Sequence, residues 1–582
     1  MIPTAMATKP FRNLSIHEEN KQLMSRISIL SACFILLGAF SANAQPGGNL
    51  PAEQVEVIKA FDAKLAESNK VDLAPSLPGV DTTAKTFNYE VAPKAINVEY
   101  PPPRIRPVSY RTGDEEIGEE YKAYVKLGGG LPSAIYGEGA YNTFVKKSDK
   151  EAYSLGLNLL HHSADYSSGN VENQKFGLTE ANGDGTYYLQ NGAAVNAELG
   201  YKSNRVHYYG YSLDPFNTET NVSADAVKQL FNTYDVGAKL FNGVKTAGDL
   251  NYLAGVKLYR HTDEFASKET GLRLDLGGTK WVAGKHSIDI GVYSDFTWYR
   301  DTQAISQTLH NFGFLPSFTY HSRVFKIKVG GKIISSNDEF ELFPDAELVL
   351  NLTGNELALF AGVTGDLQKN TFRSLSEYNP YIHTRFEDMG IRNTRYLKGY
   401  VGVRGNLSVF EYTFEAAFKP TNDLPLYKFR YDSDLIYDFD VVYDDVDVVN
   451  LSGSLKASPI KGLDFTATVS QNFYDTKFET KPWHLPSLDL NFMAQYTSPN
   501  GKLKGRGQIY MQNGVPANTS FIPGKFTTLN SLFDLSLAGE YWFAEKVGAF
   551  LELNNLLDNK RERWLYYRTY GINFLGGVTM RF

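Results

Sequence analysis

The chain of 582 residues carries a net charge of −7, one cysteine, 37 tyrosines and 37 phenylalanines. Its mean hydropathy of −0.31 excludes a membrane protein built from helices, because each spanning helix needs about 20 consecutive apolar residues. The negative charge and the lack of a basic stripe argue against a nucleic-acid partner. A single cysteine excludes a framework of internal disulfides and a thiolate metal cluster.

The first 44 residues are predicted to be an export signal. Arg26 precedes the apolar run 27–40, and small residues in an A-x-A pattern follow, which indicates cleavage after Ala44. The run is too short to span a bilayer. Cys33 gives the same run a likeness to a lipoprotein box, so lipidation is the alternative. Met24 is the more natural start, because the residues before it are polar.

Residues 45–118 differ in character from the rest of the chain and are rich in proline. Near their start Val55, Ile58 and Leu65 recur at helical spacing, which permits a short amphipathic helix over 53–67. The prolines that follow favour an extended backbone with little to bury. We interpret this segment as a periplasmic or lumen-lining arm, and a disordered linker is the alternative.

From Glu119 onward, amphipathic segments alternate with turn signals to the end of the chain. In one segment Phe465, Ala467 and Val469 alternate with polar residues, so that one face is apolar and the other polar. A soluble sandwich has the same period of two, and a single strand therefore leaves both folds open.

The connections distinguish the two folds, because membrane barrels join their strands by short turns at one end and long loops at the other. Short links are predicted at 146–149, 202–204, 321–323, 353–355, 406–408, 458–462, 498–501 and 544–545. Longer links are predicted near 164–190, 214–230, 369–392, 420–444, 513–529 and 557–568. The sequence thus predicts an all-β fold, a transmembrane antiparallel β-barrel of about 22 strands over residues 119–582.

The end of the chain predicts a long terminal strand over 569–582. Its apolar face includes Phe574, Val578 and Phe582, and Leu575 is the one large apolar residue on the opposite, polar face. One face would meet lipid and the other water, as in a membrane-spanning strand.

The tail also carries a resemblance to a known family. LSLAGEYWFAEKVGAFLELNNLLDNKRERW from Leu535, followed by YGINFLGGVTMRF, resembles the end of TonB-dependent receptor barrels. Val55 to Leu65 and the opening hairpin from Tyr121 to Tyr141 are similar to short receptor-like barrels of Bacteroidota. The resemblance implies the outer membrane of a Gram-negative cell, and it makes Phe582 the signal read by the barrel-assembly machinery.

The chain differs from that family before the barrel. The family has a folded plug there, whereas residues 45–118 show no comparable succession of strands and helices. Two functions follow. The chain is a solute channel or receptor-like transporter, or it is a structural or accessory subunit of a multi-protein outer-membrane complex. The expected partners are outer-membrane lipid, the assembly machinery and other outer-membrane or periplasmic proteins.

A ladder of charges is the first candidate site. Lys326, Lys328 and Lys332 alternate with apolar residues on one predicted strand, and Asp345 and Glu347 do so on the next. On neighbouring strands these side chains would face the lumen together. They would form either an electrostatic filter for a solute or a mutually neutralised polar interior, and the second interpretation is favoured.

An acidic stretch is the second candidate. Clustered carboxylates such as Asp444, Asp445 and Asp447 suit Ca²⁺, although their spacing matches no EF-hand. A solvated acidic loop is the favoured alternative.

Catalytic chemistry is not indicated. No nucleophile elbow or cysteine nucleophile is present, and His161 and His162 point to opposite sides of a strand. Gly128 to Gly130 are predicted to form a hairpin turn. They do not form a phosphate-binding loop, because no Lys-Ser/Thr pair follows them. We therefore expect no enzyme activity and no cofactor.

Overall fold

The computed structural model describes residues 121–148, 151–243, 246, 248–303, 305–337, 339–386, 390–430, 435–519 and 525–582. The predicted export signal, the arm and the helix at 53–67 lie outside the described residues. Within the described residues, no helix is long and apolar enough to cross a membrane.

A single sheet of 22 antiparallel strands forms the wall. Its strands are β1 (Ala123–Leu131), β2 (Ala134–Ser148), β3 (Glu151–Asp165), β4 (Lys175–Tyr188), β5 (Ala193–His207), β6 (Lys228–Asn242), β7 (Leu250–Thr262), β8 (Lys268–Val282), β9 (His286–Arg300), β10 (Ser306–His321), β11 (Phe325–Ser336), β12 (Glu339–Thr353), β13 (Leu357–Asn370), β14 (Arg392–Leu407), β15 (Phe410–Phe429), β16 (Phe439–Ile460), β17 (Leu463–Thr476), β18 (Leu488–Thr497), β19 (Leu503–Asn513), β22 (Leu532–Tyr541), β23 (Val547–Asn554) and β26 (Asn573–Arg581). The loops add the hairpins β20 (Val515–Asn518) with β21 (Phe526–Leu529) and β24 (Glu562–Trp564) with β25 (Tyr567–Arg568), helix α1 (Phe372–Tyr378), and 3₁₀ turns at Gly210–Ser212 and Ala224–Val227.

The first and last wall strands pair and close the sheet into a barrel. Tyr124 lies opposite Arg581 and Leu131 lies opposite Phe574. A closed ring leaves no backbone edge unpaired, which a lipid environment requires. The predicted barrel of about 22 strands is confirmed.

Glycines allow the close approach of backbones at this seam. A Cβ on Gly130 would lie 2.1 Å from the carbonyl oxygen of Phe574, and one on Gly577 would lie 2.0 Å from that of Leu127. The prediction of a hairpin turn at Gly128 to Gly130 is therefore wrong. These glycines lie inside β1, and the turn follows at Pro132.

The wall is apolar outside and polar inside. On β3, Leu155, Leu157 and Leu159 are exposed on the outer face, while Asn158 points to the lumen with the opposite parity. In water this outer face would expose a large apolar surface. The barrel is therefore suited to a membrane, where lipid covers that surface.

The two ends of the barrel differ. Short turns lie at the end where the chain leaves β26, which we call the turn end. Long connections lie at the other end, the loop end. The long loops are 166–174, 208–227, 371–391, 430–438, 477–487, 514–531 and 555–572.

Several predicted connections are wrong. Lys202 to Asn204 lie inside β5, where the Lys202 amine pairs with Glu180 of β4 at 3.4 Å, so this polar triplet is part of a strand and not a turn. The predicted loop 164–190 contains β4, whose internal glycines resemble loop signals.

The ends of two other segments differ from prediction as well. The predicted loop 420–444 shrinks to 430–438, because β15 and β16 extend beyond the other wall strands. The terminal strand begins at Asn573 and not at 569, since the preceding residues belong to the last long loop.

Candidate functional site: the loop-covered mouth

Three tyrosines from three loops meet over the mouth at the loop end. The rings of Tyr381 and Tyr567 stack with centroids 3.7 Å apart, and Tyr209 meets Tyr567 edge-on at 5.0 Å. The loops that carry them leave the wall after β5, β13 and β23, at well-separated points of the ring. Loops with such distant origins can touch only by crossing the mouth.

The tyrosines belong to one buried cluster, which we call the lid core. Its members come from the long loops and from the adjoining strand ends: Val171, Val206, Tyr208, Tyr209, Tyr211, Val227, Phe231, Tyr299, Leu309, Phe372, Leu375, Tyr381, Ile382, Phe386, Ile391, Tyr427, Phe429, Tyr437, Phe439, Val441, Tyr443, Val515, Ala517, Leu529, Trp564, Leu565 and Tyr567. Burial of this much apolar surface is the main force that holds the loops together.

Several buried hydroxyl groups of the lid core have hydrogen-bond partners, as burial favours. Tyr209 donates to the backbone carbonyl of Arg568 at 2.7 Å, and Tyr567 donates to that of Tyr437. Burial raises the pKa of the Tyr567 hydroxyl well above its ordinary value, so it stays a neutral donor. The lid core is thus specified by hydrogen bonds as well as by apolar contact.

Helix α1 carries part of the lid core down into the barrel. Phe372, its first residue, lies 4.7 Å from the ring of His261 on β7 and 5.7 Å from that of Tyr299 on β9. Both partners point to the lumen, since their strand neighbours Leu258 and Trp298 have the opposite parity and are exposed outside. The 371–391 loop therefore folds inward and contacts the lumen side of β7 and β9, several strands from where it leaves the wall.

A buried carboxylate anchors the start of this helix. Glu269 of β8 accepts hydrogen bonds from the backbone N–H groups of Phe372 at 2.7 Å and Arg373 at 3.3 Å. It also accepts one from the hydroxyl of Tyr259 at 2.8 Å. These N–H groups have no partner within the helix, and a negative charge at this end is favourable.

An ion pair ties the same helix to the lumen wall. Arg373 donates to both oxygens of Asp235 on β6, at 2.6 and 3.2 Å, and its guanidinium lies over the ring of Tyr259. A bidentate pair of this kind fixes geometry as well as charge. Together with Glu269, it holds α1 against strands β6 to β8, several strands along the wall from its own loop.

A neutral histidine in the 477–487 loop joins the end of β15 to the 555–572 loop. His484 lies 2.5 Å through Nδ1 from the carbonyl oxygen of Tyr427, and its Nε2 accepts the N–H of Leu565 at 3.3 Å. Its ring also packs 5.4 Å from that of Trp564. Burial lowers the pKa of His484 to about 3, because a charged ring would lose solvation and the acceptor that Leu565 uses.

The predicted charge ladder faces the lumen. Lys328 of β11 pairs with Asp345 of β12 at 2.6 Å, and Lys332 pairs instead with Asp366 of β13 at 2.7 Å. Glu347 accepts the hydroxyl of Tyr400 at 3.0 Å.

Lys326 lies on the same lumen-facing side of β11, two residues nearer the turn end than Lys328. Its cross-strand neighbour on β12 is Val349. Further pairs continue around the lumen, including Lys398 with Glu415 at 2.6 Å. The structure thus gives most of these charges a partner of opposite sign, and whether they select a solute stays a prediction.

The structure gives the acidic candidates protein partners. Asp444 is buried and accepts the backbone N–H groups of Phe478 at 2.9 Å and Glu479 at 2.8 Å. Asp447 pairs with the amine of Lys477 at 2.6 Å, and one oxygen of Asp445 accepts a backbone N–H. Among the described residues no group of three or more acidic, histidine or cysteine side chains is placed to hold a metal ion.

Neither a protein-family model nor a curated protein sequence matches the chain. Solved structures do match. They include the ferripyoverdine receptor of the outer membrane of Pseudomonas aeruginosa, with a TM-score of 0.60, 12% identity, and coverage of 80% of this chain and 72% of that one. The siderophore receptor PirA from Acinetobacter baumannii matches with a TM-score of 0.60, 9% identity, and coverage of 80% and 81%.

The ferric-catecholate import receptor Fiu from Escherichia coli is a third match, with a TM-score of 0.59, 9% identity, and coverage of 80% of this chain and 82% of that one. At this identity the likeness is one of fold. The chain has the closed 22-strand barrel of outer-membrane receptors, and the predicted resemblance to receptor barrels is confirmed at that level. Its closed barrel places it in the cell outer membrane. Because membrane barrels have short turns on the periplasmic side and long loops outside, we expect the loop end to face outward.

Proposed function

We propose that this chain is a receptor-like transporter whose outer loops form a gate that is closed at rest. The observation that carries the proposal is the lid core, in which loops from separated points of the ring meet over the mouth. An open barrel of this width would breach the membrane, and occlusion is expected of any such transporter. The lid core supplies that occlusion from the outer side.

The lumen supports passage of a hydrophilic solute. Its walls carry paired charges, such as Lys126 with Glu552 at 2.6 Å and Lys369 with Asp295 at 2.6 Å, spread over opposite sectors of the ring. Paired charges give a polar surface without a strong field of one sign. A solute would therefore be selected at the gate and less by charge along the lumen.

One observation favours the alternative, an accessory subunit with no transport of its own. The lid core is packed and hydrogen-bonded like the interior of a soluble domain, with Phe372, Ile382 and Phe439 fully buried. A permanently folded lid would suit a barrel that serves as a docking wall. The two functions therefore differ in whether the lid opens.

A cross-link across the mouth tests this difference. The hydroxyl of Ser267, in the β7–β8 loop, donates to the carbonyl oxygen of Thr384, in the β13–β14 loop, at 3.2 Å. The double variant Ser267→Cys/Thr384→Cys can be bridged by a disulfide or by a short bis-thiol reagent, with bridging checked by mass spectrometry. Ser267→Cys alone is the matched control.

The readout is KCl conductance of the full chain in planar bilayers. We expect the reduced double variant to show transient openings like those of the wild type, and the bridged form to lose them. The single variant should be insensitive to oxidation. If wild type and reduced variant never conduct, while a variant that lacks 371–391 does, the lid is permanent and the accessory role replaces the transporter.

A further inference from the structure

Three basic side chains lie on the outer, membrane-facing side of the wall near the loop end. They are Arg260 of β7, Lys268 of β8 and Arg300 of β9. Each has the same parity as exposed apolar residues of its strand, such as Leu258 and Leu276. The register is continuous over this part of the sheet, so all three point away from the lumen.

Two of these cations are direct cross-strand neighbours. Lys268 lies opposite Arg300 in the β8–β9 ladder, and residues in that relation have Cα atoms about 4.5–5.5 Å apart. Like charges placed directly opposite each other destabilise a sheet unless an anion lies between them. Arg260 completes the group, since its guanidinium donates to Thr270 on β8 at 2.6 Å and is thereby drawn toward Lys268.

The protein does not neutralise this group itself. Among the described residues none of the three cations has an ion-pair partner, although the wall is rich in such pairs elsewhere. The carboxylate of Glu264, in the adjacent loop, forms an ion pair with the amine of Lys228 at 3.0 Å. Glu269 belongs to the inner face, where it anchors α1.

The group sits at the level of a lipid headgroup. Below Arg300 on the same face come Trp298, which is 41% exposed, and Phe296, whose rings stack with centroids 5.9 Å apart. Further down the face is aliphatic, with Ile290 and Leu276 exposed. An aromatic row marks the boundary between hydrocarbon and headgroups, so the cations lie just outside it.

We propose that Arg260, Lys268 and Arg300 form a binding site for the phosphorylated headgroup of an outer-leaflet lipid. Guanidinium and ammonium groups are the usual partners of phosphate, and a phosphate bound between Lys268 and Arg300 relieves their repulsion. The acyl chains of the same lipid would lie along Trp298 and the aliphatic surface below it. The site belongs to the membrane-facing wall and does not depend on whether the barrel transports a solute.

Native mass spectrometry of the purified full chain in detergent tests the proposal, with bisphosphorylated lipid A as the probe. We expect wild-type protein to retain lipid A, and Lys268→Gln/Arg300→Gln to bind it roughly tenfold or more weakly, because charge-assisted hydrogen bonds are lost. Lys280→Gln is the matched control, since Lys280 lies on the same face of β8 near the turn end. It should bind like the wild type.

A second measurement separates the site from a folding defect. Without lipid A the double variant should melt at or above the wild-type temperature, because a like-charge contact is gone, and lipid A should raise its melting temperature less. Equal retention of lipid A by double variant and wild type would overturn the proposal. So would equal binding of the same lipid after its phosphates are removed, or full competition by inorganic phosphate at equimolar concentration, which would make a free anion the ligand.

Discussion

Tyr381 and Tyr567 stack with their ring centroids 3.7 Å apart, although strands β14 to β19, β22 and β23 separate their loops along the wall. The contact spans the mouth of the barrel. Both rings are buried, and Tyr567 is only 2% exposed. If the lid opens as proposed, this pair is one of the contacts that must separate.

The variant Tyr567→Ala should therefore loosen the lid. It removes the stack with Tyr381, the contact with Tyr209 and a hydrogen bond to a backbone carbonyl, at a cost of about 3 kcal/mol to the lid core. We expect more frequent channel openings in planar bilayers and an unchanged barrel melting temperature. Phe216→Ala is the control, because Phe216 lies in the β5–β6 loop but is 90% exposed. Unchanged opening frequency in Tyr567→Ala would show that the stack does not gate.

The Glu269 anchor leads to a separate prediction. Glu269→Gln replaces a charged acceptor with an amide whose NH₂ group faces backbone N–H donors, and this should cost about 1–3 kcal/mol of local stability. Amide hydrogen exchange in 371–391 should accelerate, while that of the wall strands should not change. Glu377→Gln, which removes only a partly exposed contact with Arg373, is the control. Equal exchange in both variants would mean that the anchor is dispensable.

The architecture was predictable from sequence because it repeats. The alternation of Leu155, Leu157 and Leu159 with polar neighbours recurs on strand after strand, and each copy reports the same lipid-facing environment. The positions of Gly130 and Gly577 are not part of any pattern that recurs from strand to strand. Their role at the seam depends on the pairing of the first strand with the last, which local sequence does not encode.

The lid core could not be predicted in the same way. Tyr209 bonds to the carbonyl of Arg568, 359 residues away, and no periodic pattern marks the partners of a loop residue. The acidic stretch did carry a usable signal that was missed. Asp440, Val441 and Val442 continue into alternating polar and apolar residues, which is the pattern of a strand, and β16 indeed begins at Phe439.

The pH dependence of the lid should follow Asp263. This carboxyl, in the β7–β8 loop, accepts the N–H of Ser267 at 2.7 Å, and burial raises its pKa to about 6 from an ordinary value of 3.8. The folded lid then binds a proton more tightly than the open chain, so stability falls as pH rises from about 4 to about 6. It stays at the lower level above that range.

Asp263→Asn should remove this dependence, because the amide keeps an acceptor for Ser267 and carries no charge. Hydrogen exchange in the β7–β8 loop should be slower in the variant than in the wild type at pH 7.5, after correction for intrinsic exchange rates. The difference should vanish near pH 4. Asp214→Asn, in another long loop, serves as the control. A wild-type lid that loosens on acidification over this range would contradict the assignment.

The terminal residue should act through recognition and not through stability. Phe582 is 58% exposed on the lipid side, and its backbone is held by β1, whose Ala123 N–H donates to the Phe582 carbonyl at 3.0 Å. Phe582→Asp leaves that backbone contact intact, and a charge near the interface costs only ~0–1 kcal/mol. A large fall in the amount of folded barrel in the outer membrane would then support the prediction that Phe582 is the signal read by the assembly machinery.

The matched control for this prediction is Phe543→Asp. Phe543 lies in the turn between β22 and β23, at the same end of the barrel, and is 59% exposed. It receives the same charge at a similar depth but is not terminal. Heat-modifiability of the barrel on gels, measured on isolated outer membranes, gives the folded fraction. We expect Phe543→Asp to accumulate like the wild type and Phe582→Asp to be strongly depleted, whereas equal depletion of both would make the cause a general cost of charge at this rim.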